Sequence, residues 1–287
     1  MQSLKNPCDD NLSIIILSRN HQNYISDCLN SIYREFKCNI SVLLVDVNSR
    51  DRTIQYGSLI AKKLGINLAI KSIGKDEATL IVLGSISDLI KTKNIILISA
   101  DDALGEGYYE GITKILQNNL QDNIVINFPL TITNADLVKQ KSRKSKWSSS
   151  LNNNKFKLSI SNPGNIAGSL LPWELVKKEL DKKSLPPTLI EDYWLWWQLV
   201  GKVEFVNSPN GTVIYRRHDS NTSGMKSSSK YAWSLGFSCG IPMISQKNVF
   251  FRMLSLMLIL RWIRHLKFSV WKEFFNGYFC CIRNNIK

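Results

Sequence analysis

Three short apolar runs set the pattern of the chain: Leu12–Leu17 (LSIIIL), Val42–Val47 (VLLVDV) and Ile95–Ile98 (IILI). They are rich in β-branched residues and lack a polar alternate face, which is how strands buried on both sides read. Between the first two, Ile25, Cys28, Leu29, Ile32 and Phe36 fall at helical spacing, predicting a helix over Tyr24–Phe36. Asp51–Leu64 predicts a second helix, with Gly65 as its stop. Leu68–Ser72 reads as another strand and Thr79–Lys91 as another helix. Strands alternating with helices predict a parallel sheet with helices on both faces. Its ligand crevice lies at the carboxyl ends of the strands.

Past Val125–Phe128 the pattern lapses. Residues 139–157 (KQKSRKSKWSSSLNNNKFK) are basic, polar and poor in apolar positions, and predict a solvated loop. Order resumes over Asn165–Leu180. Leu189–Val200 (LIEDYWLWWQLV) predicts an aromatic helix, and Val203–Val206 and Thr212–Arg216 predict short strands. From residue 226 onward ten Lys and Arg face a single acid, Glu273, and are interleaved with Phe250, Phe251, Trp262, Phe268, Trp271, Phe274 and Phe275. That texture predicts helices lying on an anionic membrane surface; a helical hairpin packed on the domain is the alternative. The longest apolar stretch, 249–263, is interrupted by Arg252 and Arg261 and falls short of the roughly 20 residues a spanning helix needs.

Composition narrows the class. The chain has 287 residues, 44% hydrophobic and 21% charged, as a globular protein does. Its formal net charge of +14 favours anionic partners. Cys8, Cys28, Cys38, Cys239, Cys280 and Cys281 form no CxxC pair, which argues against a zinc site and for a reducing compartment. Asp9 and Asp10 precede the first apolar run, unlike a signal peptide, so a cytoplasmic location is expected.

The acids carry the chemistry. Asp46 closes the second strand, and Asp101 and Asp102 close the fourth, in IILISADDA. A parallel sheet brings all three to one rim. Carboxylates there can accept from a base or ribose, and an adjacent pair can hold Mg²⁺ or Mn²⁺ shared with substrate phosphates. Glu191 and Asp192 open the aromatic helix, where a turn or N-cap role competes with catalysis.

SIIILSRNHQNYISDCLNSI, VLLVDVNSRD, ILISADDA, NPGNIAGSLL, LIEDYWLWWQL and VIYRRHDSNTS, in that order, resemble the family 2 glycosyltransferases of the GT-A fold over roughly residues 12–223. The resemblance implies a Rossmann-like, mostly parallel α/β fold. It implies a transferase domain over 1–225, with a nucleotide-binding half at about 12–130, an acceptor half at about 158–225, and a helical tail over 226–287. Ser18, Arg19 and Asn20 would flank the nucleotide, Asp46 would bind its base or ribose, and Asp101 and Asp102 would match the DxD-like motif and hold the metal, Asp102 foremost. Asp192, beside Glu191, would be the general base. Arg216, Arg217 and His218 would meet the diphosphate, while Trp194 and Trp196 would line the acceptor site. Ser99 replaces the first acid of that motif, and Leu17-Ser18-Arg19-Asn20 replaces the usual Pro-Thr-Tyr-Asn.

The implied activity is inverting transfer from a nucleotide-diphosphate sugar, UDP-linked, with Mn²⁺ or Mg²⁺. The implied acceptor is a lipid-linked saccharide of O-antigen or capsule synthesis, at the cytoplasmic face of the inner membrane and with no nucleic-acid partner. A nucleotidyltransferase would want a Gly-rich loop after the first strand, and Leu17–Gln22 has no glycine. A non-enzymatic basic module explains the charge but not the acids gathered at strand ends. No GxGxxG follows a strand, which disfavours a dehydrogenase.

Overall fold

The computed structural model describes residues 11–37, 40–118, 123–181, 190–219, 221, 229–245, 259–260, 266 and 268–284. Its first half follows the predicted alternation: β1 (Leu12–Ser18), α1 (Ile25–Phe36), β2 (Ser41–Val47), α2 (Thr53–Leu64), β3 (Leu68–Ile73), α3 (Thr79–Ser85) and β4 (Asn94–Ser99). The helix predicted over 79–91 is shorter, ending at Ser85 and followed by a 3-10 turn over Ser87–Leu89. Then come β5 (Ala103–Leu104), α4 (Tyr108–Asn118), β6 (Ile124–Asn127), β7 (Leu130–Thr133), β8 (Lys139–Arg143) and α5 (Leu151–Ile160). The rest are β9 (Ser169–Pro172), α6 (Trp173–Leu180), α7 (Glu191–Leu199), β10 (Glu204–Asn207), β11 (Val213–Arg216), α8 (Ser229–Ser245) and α9 (Trp271–Asn284).

The main sheet has seven strands in the order β10-β6-β9-β4-β1-β2-β3. β1, β2, β3 and β4 are parallel, as predicted. β9 is the exception: it inserts antiparallel between β4 and β6. A smaller sheet, β5-β11-β7-β8, stands beside it. The predicted solvated loop at 139–157 is corrected: it forms edge strand β8 and helix α5, whose N-cap Ser150 accepts from the Asn153 amide.

Alternation explains why the central strands have no polar face. Ile14 and Ile16 of β1, Val42 and Leu44 of β2, and Ile96 and Ile98 of β4 enter one core with α1, α2 and α4. Ile15, Val45, Ile95 and Leu97 point the other way, into a second core with α3, α6, α7 and α8. Burying a Leu or Ile side chain contributes about 1.5–3 kcal/mol, so both faces of the platform are firmly held.

The described part of the tail packs on the domain, since α8 and α9 share the second core with α7. Gly236 and Gly240 of α8 and Gly277 of α9 let the two backbones touch; a Cβ at Gly236 would overlap the Phe274 carbonyl, and one at Gly277 the Trp233 carbonyl. Among the described residues no helix is long and apolar enough to cross a membrane. Asp9, Asp10, Lys226 and most of the apolar stretch 249–263 lie outside the described residues.

Candidate active site

The carboxyl ends of β1, β2 and β4 carry a dense polar group. Asp46 is buried at the end of β2, where its Oδ1 accepts from the hydroxyls of Ser18 (2.9 Å) and Ser49 (2.6 Å), and its Oδ2 from the Ser49 amide (3.2 Å). The loops after β1 and β2 are laced together. The Asn20 amide donates to Ser49 Oγ (2.8 Å) and Asn20 Oδ1 accepts from the Arg50 amide (2.7 Å). The His21 amide donates to Thr53 Oγ1 (2.8 Å), and the Gln22 amide to Asp51 Oδ2 (3.1 Å). Asn20 and Asn48 take left-handed conformations, at φ 56° and 55°, which short polar side chains tolerate best. Arg19 is exposed and pairs with Asp76 Oδ2 (2.5 Å), while Asn48 donates to Asp76 Oδ1 (3.2 Å). Asp76 is an addition that no pattern in the sequence marked.

The two adjacent aspartates part company. A turn closed by the Asp102 amide on the Ser99 carbonyl (3.0 Å) puts Asp101 at its tip and sends Asp102 inward. Asp102 is buried and accepts from the Arg216 amide (3.0 Å). Burial, reinforced by the neighbouring Asp101 charge, pushes its carboxyl well above the usual range. The sequence reading puts both aspartates on the metal; here Asp102 is engaged by the Arg216 amide, while Asp101 faces the His21 and His218 imidazoles.

Asp101 Oδ2 accepts from His218 Nε2 (2.9 Å) and Asn221 Nδ2 (3.1 Å), and His21 Nε2 stands 3.8 Å away. Burial alone would raise the Asp101 carboxyl, but the imidazoles beside it, with the hydrogen bond from His218, outweigh it and hold it low. One ligand atom each of His21, Asp101 and His218 lies within 4.8 Å of the others. His21 Nδ1 and Asp101 Oδ1 are buried without a hydrogen-bond partner. Burial lowers the His21 imidazole below its ordinary range against the opposing pull of Asp101, favouring the neutral form that ligates metals. Orphaned acceptors, two imidazoles and a carboxylate fit a divalent metal. His21 escaped the sequence reading because a single loop histidine carries little signal.

Arg216 is also reassigned. Its guanidinium is buried, donating to Asp27 Oδ2 (2.6 Å) and the Ala135 carbonyl (3.1 Å), and lies 4.7 Å over the Tyr24 ring. Spent on those partners, it does not reach for a diphosphate as expected. Tyr24 in turn stacks on His218, with centroids 4.7 Å apart. Arg217 is exposed at the end of β11.

Asp192 belongs to a separate group. Its Oδ2 accepts from Asn162 Nδ2 (2.8 Å) and its Oδ1 from the Tyr193 amide (2.7 Å). Burial raises its carboxyl, while Asn162, the amides and nearby Arg143 oppose the rise. Arg143 also donates to the Asn162 carbonyl (3.1 Å). Glu191 does not join it. Its Oε2 accepts from the Leu80 amide (2.9 Å), so the carboxylate caps the N-terminus of α3; burial raises its pKa to about 7. The acceptor role expected of the tryptophans is corrected as well. Trp196 is fully buried, edge-on to Trp147 and Phe205, and Trp194 is buried in the same core, so neither offers a face to a sugar.

No family model matches the chain, and no curated protein does. Solved structures do. The fold is similar to that of S. aureus TarS 1-349 in complex with UDP-GlcNAc, with a TM-score of 0.68 and 11% identity, covering 96% of this chain and 81% of that one. It is similar to the same S. aureus TarS 1-349 in complex with UDP, at TM-score 0.58 and 12% identity, over 88% and 70% of the two chains. It is also similar to the mannosyltransferase PcManGT from Pyrobaculum calidifontis in complex with GDP-Man and Mn²⁺, at TM-score 0.62 and 10% identity, over 95% and 75%. At such identities the likeness speaks for the fold: the mixed sheet, with its polar group at the ends of β1, β2 and β4, has the GT-A architecture of these glycosyltransferases.

Proposed function

We propose that the chain is an inverting, metal-dependent glycosyltransferase of the family 2 type, using a nucleotide-diphosphate sugar with UDP as the favoured carrier. One observation carries the reading: His21, Asp101 and His218 converge beside Asp46 at the strand ends, with buried unpartnered acceptors among them. Ser18, Asp46 and Ser49 form a fixed acceptor for a base or ribose, bounded by Arg19 and Asp76. His21, Asp101 and His218 would hold the metal, which supplies neutralisation of the charge that builds on the departing diphosphate. Asp192, oriented by Asn162, takes the proton of the acceptor hydroxyl. A neutral carboxyl would be a poor base, and Asn162 and Arg143 oppose the rise that burial causes at Asp192.

The acceptor is proposed to be a lipid-linked saccharide of surface-polysaccharide synthesis (O-antigen or capsule), met at the cytoplasmic face of the inner membrane. Support comes from α9, where Lys272, Phe275, Asn276, Phe279 and Arg283 share an exposed face, a pair of aromatics between two cations. We retain 1–225 as the transferase unit and 226–287 as the membrane-facing segment.

Calorimetry with UDP, GDP and dTDP in the presence of Mn²⁺ tests the reading. The wild type binds at least one, Asp101→Asn loses that binding at least about tenfold, and Asp102→Asn keeps it unless its fold is lost. If none of the three binds, or if Asp101→Asn binds as well as wild type, the reading fails.

A further inference from the structure

The most concentrated charge outside the proposed metal centre lies on β8 and the segment after it. All five residues of β8 are exposed. Lys139, Lys141, Arg143, Lys144 and Lys146 are all exposed, and from 139 to 157 the chain carries seven Lys and Arg and no acid. Among the described residues none of the five forms an ion pair. Arg143 is engaged with Asn162 and near Asp192; the four exposed lysines in such a row repel one another, an arrangement that a bound anion relieves.

Edge-strand defence accounts for part of this, since lysines on a sheet edge discourage pairing with another chain. It does not account for the continuation through Lys144 and Lys146 beyond the strand, nor for one sign of charge throughout. Position is the stronger argument. β8 pairs with β7, and β7 with β11. Lys139 lies opposite Thr133, and Thr133 opposite Arg216, so this end of the strip stands two strands from the segment that delivers His218 to Asp101. At the other end Arg143 holds the Asn162 carbonyl, and Asn162 holds Asp192. The strip therefore runs from two strands away from the segment that carries His218 to the group that carries the proposed base. Four residue steps of strand span about 13 Å, room for more than one anionic group.

We infer that β8 and the segment after it are the track for a polyanionic acceptor chain, one whose repeating units carry phosphodiester or carboxylate groups. The inference rests on the transferase reading and names the class of its acceptor. The track is distinct from the exposed face of α9, and it discriminates by charge density along a chain rather than by a single headgroup.

The test uses the full chain and two soluble probes, inorganic polyphosphate and an oligogalacturonate, in metal-free buffer, with neutral dextran and anionic phosphatidylglycerol vesicles alongside. The variant is Lys139→Ser, Lys141→Ser, Lys144→Ser and Lys146→Ser together, with Arg143 left in place. Wild type binds at least one polyanion in a salt-dependent manner and ignores dextran. The variant weakens that binding at least about tenfold and leaves vesicle binding and nucleotide affinity unchanged. Preference between the two probes assigns the anion as phosphate or carboxylate. If the fourfold variant does not fold, Lys144→Glu with Lys146→Glu, both outside the strand, must show the same loss. Polyanion binding indifferent to these lysines, no polyanion binding by wild type, or a loss confined to vesicles overturns the inference. Absence of nucleotide binding by wild type would instead sink the transferase reading, so the two failures are separable.

Discussion

Glu191→Gln isolates a single buried carboxyl whose titration can be read as stability. Glu191 is 8% exposed and caps α3 through the Leu80 amide. Its pKa rises from 4.5 to about 7, chiefly through burial. A folded-state pKa above the unfolded value means the native state holds the proton more tightly, so stability falls as pH rises between the two values. A rise of that size is worth about 3 kcal/mol. By pH 8 nearly all of that cost is present; at pH 5 only about 1 kcal/mol is. Glutamine keeps an oxygen for the Leu80 amide and does not ionise. Relative to wild type, Glu191→Gln should therefore gain about 2–3 kcal/mol more at pH 8 than at pH 5. Urea denaturation of both proteins at the two pH values measures the double difference. Parallel stability profiles would refute the reasoning. A loss at both pH values of the size expected for a missing cap, about 1 kcal/mol, would show that the carboxylate's geometry matters more than its charge.

Two further outcomes follow from other parts of the molecule. Asp192→Asn keeps nucleotide affinity and melting temperature near wild type while turnover falls at least about a hundredfold, the low end for loss of a general base; a stability loss with turnover intact would make Asp192 a structural residue. Gly277→Ala forces a methyl into the Trp233 carbonyl, so it should cost at least about 1–3 kcal/mol by overpacking, seen as a lowered unfolding midpoint; unchanged stability would mean that α8 and α9 are not held at that approach.

β1, β2 and β4 were legible because a strand buried on both faces has an apolar run and nothing else to say. β8 was hidden for the opposite reason: KQKSR has no apolar residue, and only its pairing with β7 makes it a strand. α5 was hidden by its polar first turns, although Ser150 was a usable N-cap signal. The antiparallel place of β9 is set by its partners β4 and β6, since Ser169–Pro172 alone fixes no direction. At the site, Asp46 and Asp101 could be read from strand ends. Which of two adjacent aspartates meets the imidazoles depends on a turn at Ser99–Asp102 that the sequence does not spell. Arg216 and Trp196 drew attention by type, and burial among their own partners removes them from the roles that type suggested.

The central claim is that His21, Asp101 and His218 form a centre for a divalent transition ion that anchors a nucleotide diphosphate. Electron paramagnetic resonance of Mn²⁺ titrated with the protein and UDP tests it most directly. Wild type should remove the free-ion signal at one site per chain, while His21→Ala, Asp101→Asn and His218→Ala should each weaken binding at least about tenfold, as loss of a ligand does, at unchanged melting temperature. Full Mn²⁺ binding by Asp101→Asn, or loss of binding in a folded Asp102→Asn alone, would contradict it.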